Sequence, residues 1–251
     1  MIEIVKHSNT FNPKFQLFCF HYAGGGANFF KNWPNFFNNE IEINAIRLPG
    51  RESLLAYKPY CSLTNLLTDL FLKIRSALKS PFILFGHSMG GLIAFELTKK
   101  LEINGYKPIH LYISACGHPN YISNQQRHLL TDNELITSLL NHYKLNLINE
   151  QYKMELLSII LPTLRADYTI FDTYQYQVSA KLSTPITACG GNLDDIHHKK
   201  TLEFWKYETS SSFSIKIFEG DHFYIDKWLL EVLNIINLEM GSSSLKKFSN
   251  I

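Results

Sequence analysis

The sequence predicts an α/β fold, a mostly parallel central sheet with helices on both faces. Three observations predict it. Short apolar runs alternate with stretches of helical periodicity through the first half of the chain, the order that parallel strands joined by crossover helices require. One apolar run, residues 82–85, ends in Gly86-His87-Ser88-Met89-Gly90 and passes at once into a helical pattern. Ser88, Asp194 and His222 then follow one another in chain order, each just after an apolar run.

The elements follow from local pattern. Residues 15–20 form a strand that runs into His21-Tyr22-Ala23-Gly24-Gly25-Gly26 and a helical segment over 28–37. The loop lacks the Gly-Lys-Ser/Thr ending of a phosphate loop, and its glycines are contiguous. It reads as backbone N–H groups brought close to a developing oxyanion, with an ordinary strand-to-helix turn as the competing reading. Residues 42–48 alternate toward a second strand and end at the turn Pro49-Gly50-Arg51-Glu52. Leu63, Leu66, Leu67, Leu70, Phe71, Ile74 and Leu78 recur at helical spacing, so 62–79 is an amphipathic helix, stopped by Pro81. The helix after Ser88 carries Leu92, Ile93, Phe95, Leu97 and Leu101 and is buried over much of its surface; residues 109–115 are the next strand. From about 120 to 180 the rhythm breaks into a helical insertion, with helices over 132–148 and 150–161. It reads as a lid over the site, or else as a layer packed permanently on the sheet. Strands resume at 185–189 and 213–218, a last helix covers 229–238, and the Ser- and Lys-rich 241–251 is expected to fray. No repeat or linker divides residues 1–251, which read as one domain.

Composition excludes several classes. In 251 residues, 45% are hydrophobic and 18% charged, enough for a core without disulfides or metals. A formal net charge of +2 gives no footprint for nucleic acid or an anionic membrane. No apolar run reaches membrane-spanning length. Cys19, Cys61, Cys116 and Cys189 show no Cys-x-x-Cys spacing and read as reduced, buried thiols of a cytoplasmic protein. The expectation is a monomer.

The chemistry centres on the strand, Gly-x-Ser-x-Gly, helix order, which is that of a nucleophile elbow. A tight turn lifts the Ser88 hydroxyl above the sheet, and the helix start aims its positive end there. The Met89 N–H is a candidate oxyanion donor. In α/β-hydrolases the acid and histidine follow later strands, and here 185–189 precedes Asp194-Asp195 while 213–218 precedes His222. The residues alone allow Asp194 or Asp195 as the acid. Asp221 reads as a turn former. His87 is expected to face away from the serine's side of the elbow. His197 and His198, adjacent and with no third ligand in view, do not make a metal site.

Six stretches carry a resemblance that spans nearly the whole chain: residues 18–26, 47–52, 85–91, 161–168 (Leu-Pro-Thr-Leu-Arg-Ala-Asp-Tyr), 191–195 and 218–224. The chain resembles the type II thioesterases that accompany nonribosomal peptide and polyketide synthases. The resemblance implies an α/β-hydrolase fold, a triad of Ser88, Asp194 and His222, and an oxyanion hole from the N–H groups of Ala23 and Met89. It implies hydrolysis of acyl, aminoacyl or peptidyl thioesters on carrier proteins, with no cofactor beyond the phosphopantetheine that the substrate brings. His21-Tyr22 stand where the family usually has Pro-His, and Gly-Asn-Leu-Asp-Asp where it often has Gly-Asp-x-Asp-Pro. A general esterase, an acyltransferase of the same fold and a non-catalytic carrier-binding module are the alternatives. Arg51, Lys99, Lys100 and Arg165 are the basic residues that could meet an acidic carrier.

Overall fold

A computed structural model of the chain describes residues 1–8, 10, 12–37, 40–121, 126–143 and 150–239. The expectation for 241–251, and those for 122–125 and 144–149, lie outside the described residues. Seven strands form one sheet: β1 (Glu3–Lys6), β2 (Phe15–Phe20), β3 (Ile41–Arg47), β4 (Phe82–His87), β5 (His110–Ser114), β6 (Ile186–Gly191) and β7 (Phe213–Phe218). Their order is β1-β3-β2-β4-β5-β6-β7, antiparallel between β1 and β3 and parallel elsewhere. Strand β1 has no counterpart in the sequence reading; four residues are too few to display a period.

The period of two in the strands feeds two cores. Phe18, Phe20 and Leu84 face one core with α1 (Leu63–Ala77) and α2 (Met89–Ile103). Leu17, Cys19, Ile83 and Phe85 face the other, with Phe30, Trp33 and α6 (Leu229–Glu239). Helix α1 starts at Ser62, whose hydroxyl accepts the Asn65 N–H at 3.4 Å. The helix expected over 28–37 is instead two 3-10 turns, Ala27–Phe30 and Trp33–Asn35. Pro34 lacks the N–H that an α-helix there would need.

Between β5 and β6 lie α3 (Asp132–Tyr143) and α4 (Glu150–Asp172). Helix α4 passes through Pro162 well beyond the expected end at 161. The cause is burial: Leu161, Leu164 and Tyr168 form a stripe that packs with Leu135, Ile136 and the loop residue Ala23. A short α5 (Lys199–Glu203) follows β6. Cys19, Cys116 and Cys189 are buried, but Cys61 is exposed, in the loop before Ser62 rather than on an apolar run. Among the described residues no helix is long and apolar enough to cross a membrane.

Helix α2 approaches the sheet closely. A Cβ at Gly86 would stand 2.0 Å from the Gly90 carbonyl oxygen, and one at Gly90 2.2 Å from that of Phe20. Backbone on both sides leaves no room to relax. Gly90→Ala is expected to cost about 3 kcal/mol or more, read as a lowered urea midpoint.

Candidate active site

Ser88 sits between β4 and α2 at φ 56°, in the left-handed region that a non-glycine residue enters only under constraint. Its N–H donates to the Ser114 carbonyl at 2.7 Å and its own carbonyl accepts the Gly91 N–H at 2.8 Å, which fixes the turn. Met89 is the first residue of α2, where an N–H has no partner within the helix.

Asp194 and His222 follow β6 and β7. His222 Nδ1 donates to Asp194 Oδ2 at 2.8 Å, and both residues are buried. The other carboxylate oxygen, Oδ1, accepts the N–H groups of Ile196 and His197 at 3.0 and 2.9 Å. Burial alone would raise the Asp194 carboxyl; the hydrogen bond and charge of His222, with His197, hold it well below the usual carboxylate range. Asp195 is exposed, so of the two neighbouring acids it is Asp194 that meets the imidazole. Asp221 is exposed and accepts the Phe223 N–H at 2.9 Å, as a turn former does. Two strands separate β4 from β7, yet the loop after β7 reaches back: the His222 ring lies 5.4 Å from that of His87, the residue bonded to Ser88.

The glycine loop is held from outside. Arg51, from the turn after β3, pairs with Asp167 of α4 through Nη1–Oδ2 and Nη2–Oδ1 contacts of 2.9 and 2.8 Å, with both residues buried. Asp167 Oδ2 also accepts the Gly24 N–H at 2.8 Å, and Arg51 Nη1 donates to the Gly25 carbonyl at 3.0 Å. Glu52 accepts the Asn28 N–H at 2.8 Å and the Arg47 Nε–H at 2.5 Å. The Gly25 N–H turns inward to the Tyr22 carbonyl at 3.0 Å. The N–H groups of Gly24 and Gly25 are thus committed, and Ala23 packs with the cluster that holds Leu164 of α4. A cavity of about 460 Å³ opens next to this loop, lined in part by Tyr22, Gly25, Leu55, Ile159 and Ile160.

This elbow, acid and histidine on a parallel sheet carry a known pattern. The thioesterase domain model matches residues 15–238. The chain belongs to the thioesterase family. This thioesterase is 37% identical over 227 residues to the gramicidin S biosynthesis protein GrsT of Aneurinibacillus migulanus, covering 89% of this chain and 88% of that protein. It is 32% identical over 240 residues to thioesterase TesA of Mycobacterium marinum, covering 94% and 93%. The solved structure of the type II thioesterase BorB, from the borrelidin biosynthetic cluster, superposes with a TM-score of 0.87 at 30% identity, covering 96% of this chain and 97% of that one. The α/β-hydrolase fold expected from the motifs is the fold found, and the family is one of enzymes that hydrolyse thioesters.

His87 and Arg51 in this thioesterase sit differently from the sequence reading, and His197 gains a structural role. His87 does not face away: its buried ring packs on His222, and its Nδ1 meets Ser114 Oγ at 2.8 Å. Burial and then the charge of His222 push it well below the ordinary histidine range, which makes it a weak base. His197 supports the site; its Nδ1 accepts the Gly117 N–H at 2.8 Å and its ring lies 5.4 Å from that of His222. Arg51 is too buried to meet a carrier, and Arg165 is tied to its own chain. Arg51 is paired inside, and Arg165 donates to the carbonyls of His128 and Leu130 at 2.7 and 2.6 Å. No signal of spacing or periodicity announces such partners, because each pair is distant in sequence.

Asp167→Ala is expected to strand the buried Arg51 guanidinium and cost about 3–5 kcal/mol in urea unfolding. The double replacement Arg51→Met, Asp167→Leu is expected to recover much of that stability while turnover stays low, since Gly24 has lost its acceptor. A second expectation concerns acid. Burial holds His21 and His110 down to about 4 and His197 to about 3, from an ordinary 6.5. Between those values the unfolded chain binds protons that the native state refuses, so stability falls as pH drops from 6.5 toward 4. Each such group contributes a slope of at most about 1.4 kcal/mol per pH unit. Urea midpoints measured across that range should fall, and His110→Gln should reduce the slope by one proton.

Proposed function

We propose that this thioesterase releases acyl, aminoacyl or peptidyl groups from the phosphopantetheine arm of carrier proteins, as an editing enzyme of nonribosomal peptide, polyketide or fatty acid synthesis. The observation that carries the reading is the bond from His222 Nδ1 to Asp194 Oδ2. It fixes the proton on Nδ1 and leaves Nε2 with the lone pair that a general base needs. Ser88 Oγ attacks the thioester carbonyl and gives its proton to His222. The tetrahedral oxyanion is met by the N–H groups of Ala23 and Met89. Collapse expels the pantetheine thiolate, which takes the proton from His222. Water, activated by the same imidazole, then frees the acid and restores Ser88.

A thiolate leaves more readily than an alkoxide, so this first step asks little of the acid. The chain supplies nucleophile, base and oxyanion donors itself, and the reading includes no resident cofactor or metal. GrsT is named for gramicidin S biosynthesis and BorB comes from the borrelidin cluster, which supports carrier-bound substrates here. In this reading α3 and α4 form a lid inserted into a single domain, and the enzyme works as a cytoplasmic monomer.

Mass spectrometry of a panel of acyl carrier proteins tests it. The wild type is expected to return free carrier thiol. Ser88→Ala is expected to be slower by a factor of about a thousand or more. Undiminished release by Ser88→Ala, or faster hydrolysis of a matched oxygen ester than of the thioester, would overturn the reading.

A further inference from the structure

The cavity beside the glycine loop has a wall of two kinds. Its charged side chains and the Thr163 hydroxyl are already engaged. Arg51 is paired with Asp167 and the Gly25 carbonyl, Glu52 accepts N–H groups from Asn28 and Arg47, and Thr163 donates to the Gly50 carbonyl. Asn28 is exposed to solvent. The rest of the side-chain lining is apolar: the rings of Tyr22 and Phe29, with Leu55, Ile159 and Ile160. Those three aliphatic side chains are half-exposed. Single exposed apolar residues are ordinary, but here three of them gather with two rings around one concavity.

Tyr22 joins this cavity to the catalytic groups. Its ring folds over Gly25, where an added Cβ would stand 3.2 Å from both Cε1 and Cε2. The same ring packs edge-on against Phe29, Phe223 and His87, with centres 5.3, 5.0 and 6.1 Å apart. Phe223 follows His222 in the chain, and His87 precedes Ser88. The ring therefore borders both the cavity and the flanks of the proposed base and nucleophile.

We infer that this cavity is the acyl-chain pocket and that Tyr22 is a specificity-determining residue at its catalytic end. The chain of the thioester runs along the Tyr22 ring into a space that takes plain hydrocarbon and disfavours chains carrying polar groups. The inference rests on the reading of the site given above and narrows its substrates. Each methylene moved from water into such a lining strengthens binding about three- to fourfold. An oxygen entering the same space gives up its water and meets side-chain donors that are already engaged. The amides of the pantetheine arm are unsuited to it for the same reason, so the arm lies outside.

Four substrates test it: acetyl-, butyryl-, hexanoyl- and 4-methoxybutanoyl-pantetheine. All share one arm, and the last matches hexanoyl with one methylene replaced by an ether oxygen. In the wild type kcat/KM should rise about threefold for each added methylene from acetyl to hexanoyl. The ether should fall about tenfold behind hexanoyl. Ile160→Trp fills the pocket and should lower the hexanoyl-to-acetyl ratio by about tenfold or more. Tyr22→Gln puts an amide where the ring stood and should shrink the preference for hexanoyl over the ether to about twofold. Ratios carry the comparison because a displaced loop would slow all four substrates alike. Ile159→Trp replaces Ile160→Trp, and Tyr22→Asn replaces Tyr22→Gln, if the first variant does not fold. A wild type indifferent to chain length, or a ratio that either variant leaves unchanged, overturns the inference. A wild type that cleaves none of the four overturns the reading of the site instead.

Discussion

At the start of α2, helix backbone lies directly against strand backbone, with glycines at 86 and 90 and nothing between. That contact fixes the rest of the site. It forces the intervening Ser88 into a left-handed conformation, at a cost of about 1–3 kcal/mol that the surrounding burial must offset. It also sets the helix axis, so that the first N–H of α2 and the positive end of its dipole meet above the sheet. Ser114 receives the Ser88 N–H through its carbonyl, and through its hydroxyl meets both His87 and Tyr224. The floor under the elbow is thus a connected polar layer inside an apolar core.

The other half of the site is assembled by residues whose only shared feature is what they hold. Arg51 and Glu52 leave the turn after β3 in opposite directions, one to Asp167 and the Gly25 carbonyl, the other to the first N–H groups after Gly26. Two of the loop's amide groups are used in this way. Helix α4 is central here. Its Asp167 reaches the glycine loop, while Arg165, Tyr168 and Asp172 hold the turn that carries Arg127. The Leu-Arg-Ala-Asp-Tyr stretch is therefore a double bracket between the inserted helix and two loops.

The sheet, its order of strands and helices, and the elbow were legible because they are local: a period of two, a period of 3.6, and a glycine pattern lie within windows of a few residues. The insertion was legible as helical, but the passage of α4 through Pro162 was not, since it depends on burial against Leu135 and Ile136 from another helix. Among site residues, Asp194 could be separated from Asp195 only by resemblance. Which of two adjacent carboxylates turns inward is decided by the loop after β6, through the N–H groups of Ile196 and His197. Arg51 looked like surface charge because a buried ion pair leaves no mark in sequence when its halves lie far apart. His87 was misplaced for a related reason. The ring it packs against arrives from the loop after β7, with two strands in between.

Pro162 gives α4 a mechanical asymmetry. Proline cannot donate to the Ser158 carbonyl, so the helical ladder lacks a rung between the segment carrying Ile159 and Ile160 and the segment carrying Asp167. Downstream, a buried ion pair anchors the helix to the glycine loop. Upstream, two half-exposed isoleucines form a cavity wall. Bending is easiest at the missing rung, and it would swing that wall like a door on a hinge post. That wall can then shift while the part of the helix held by Arg51 and Gly24 stays in place.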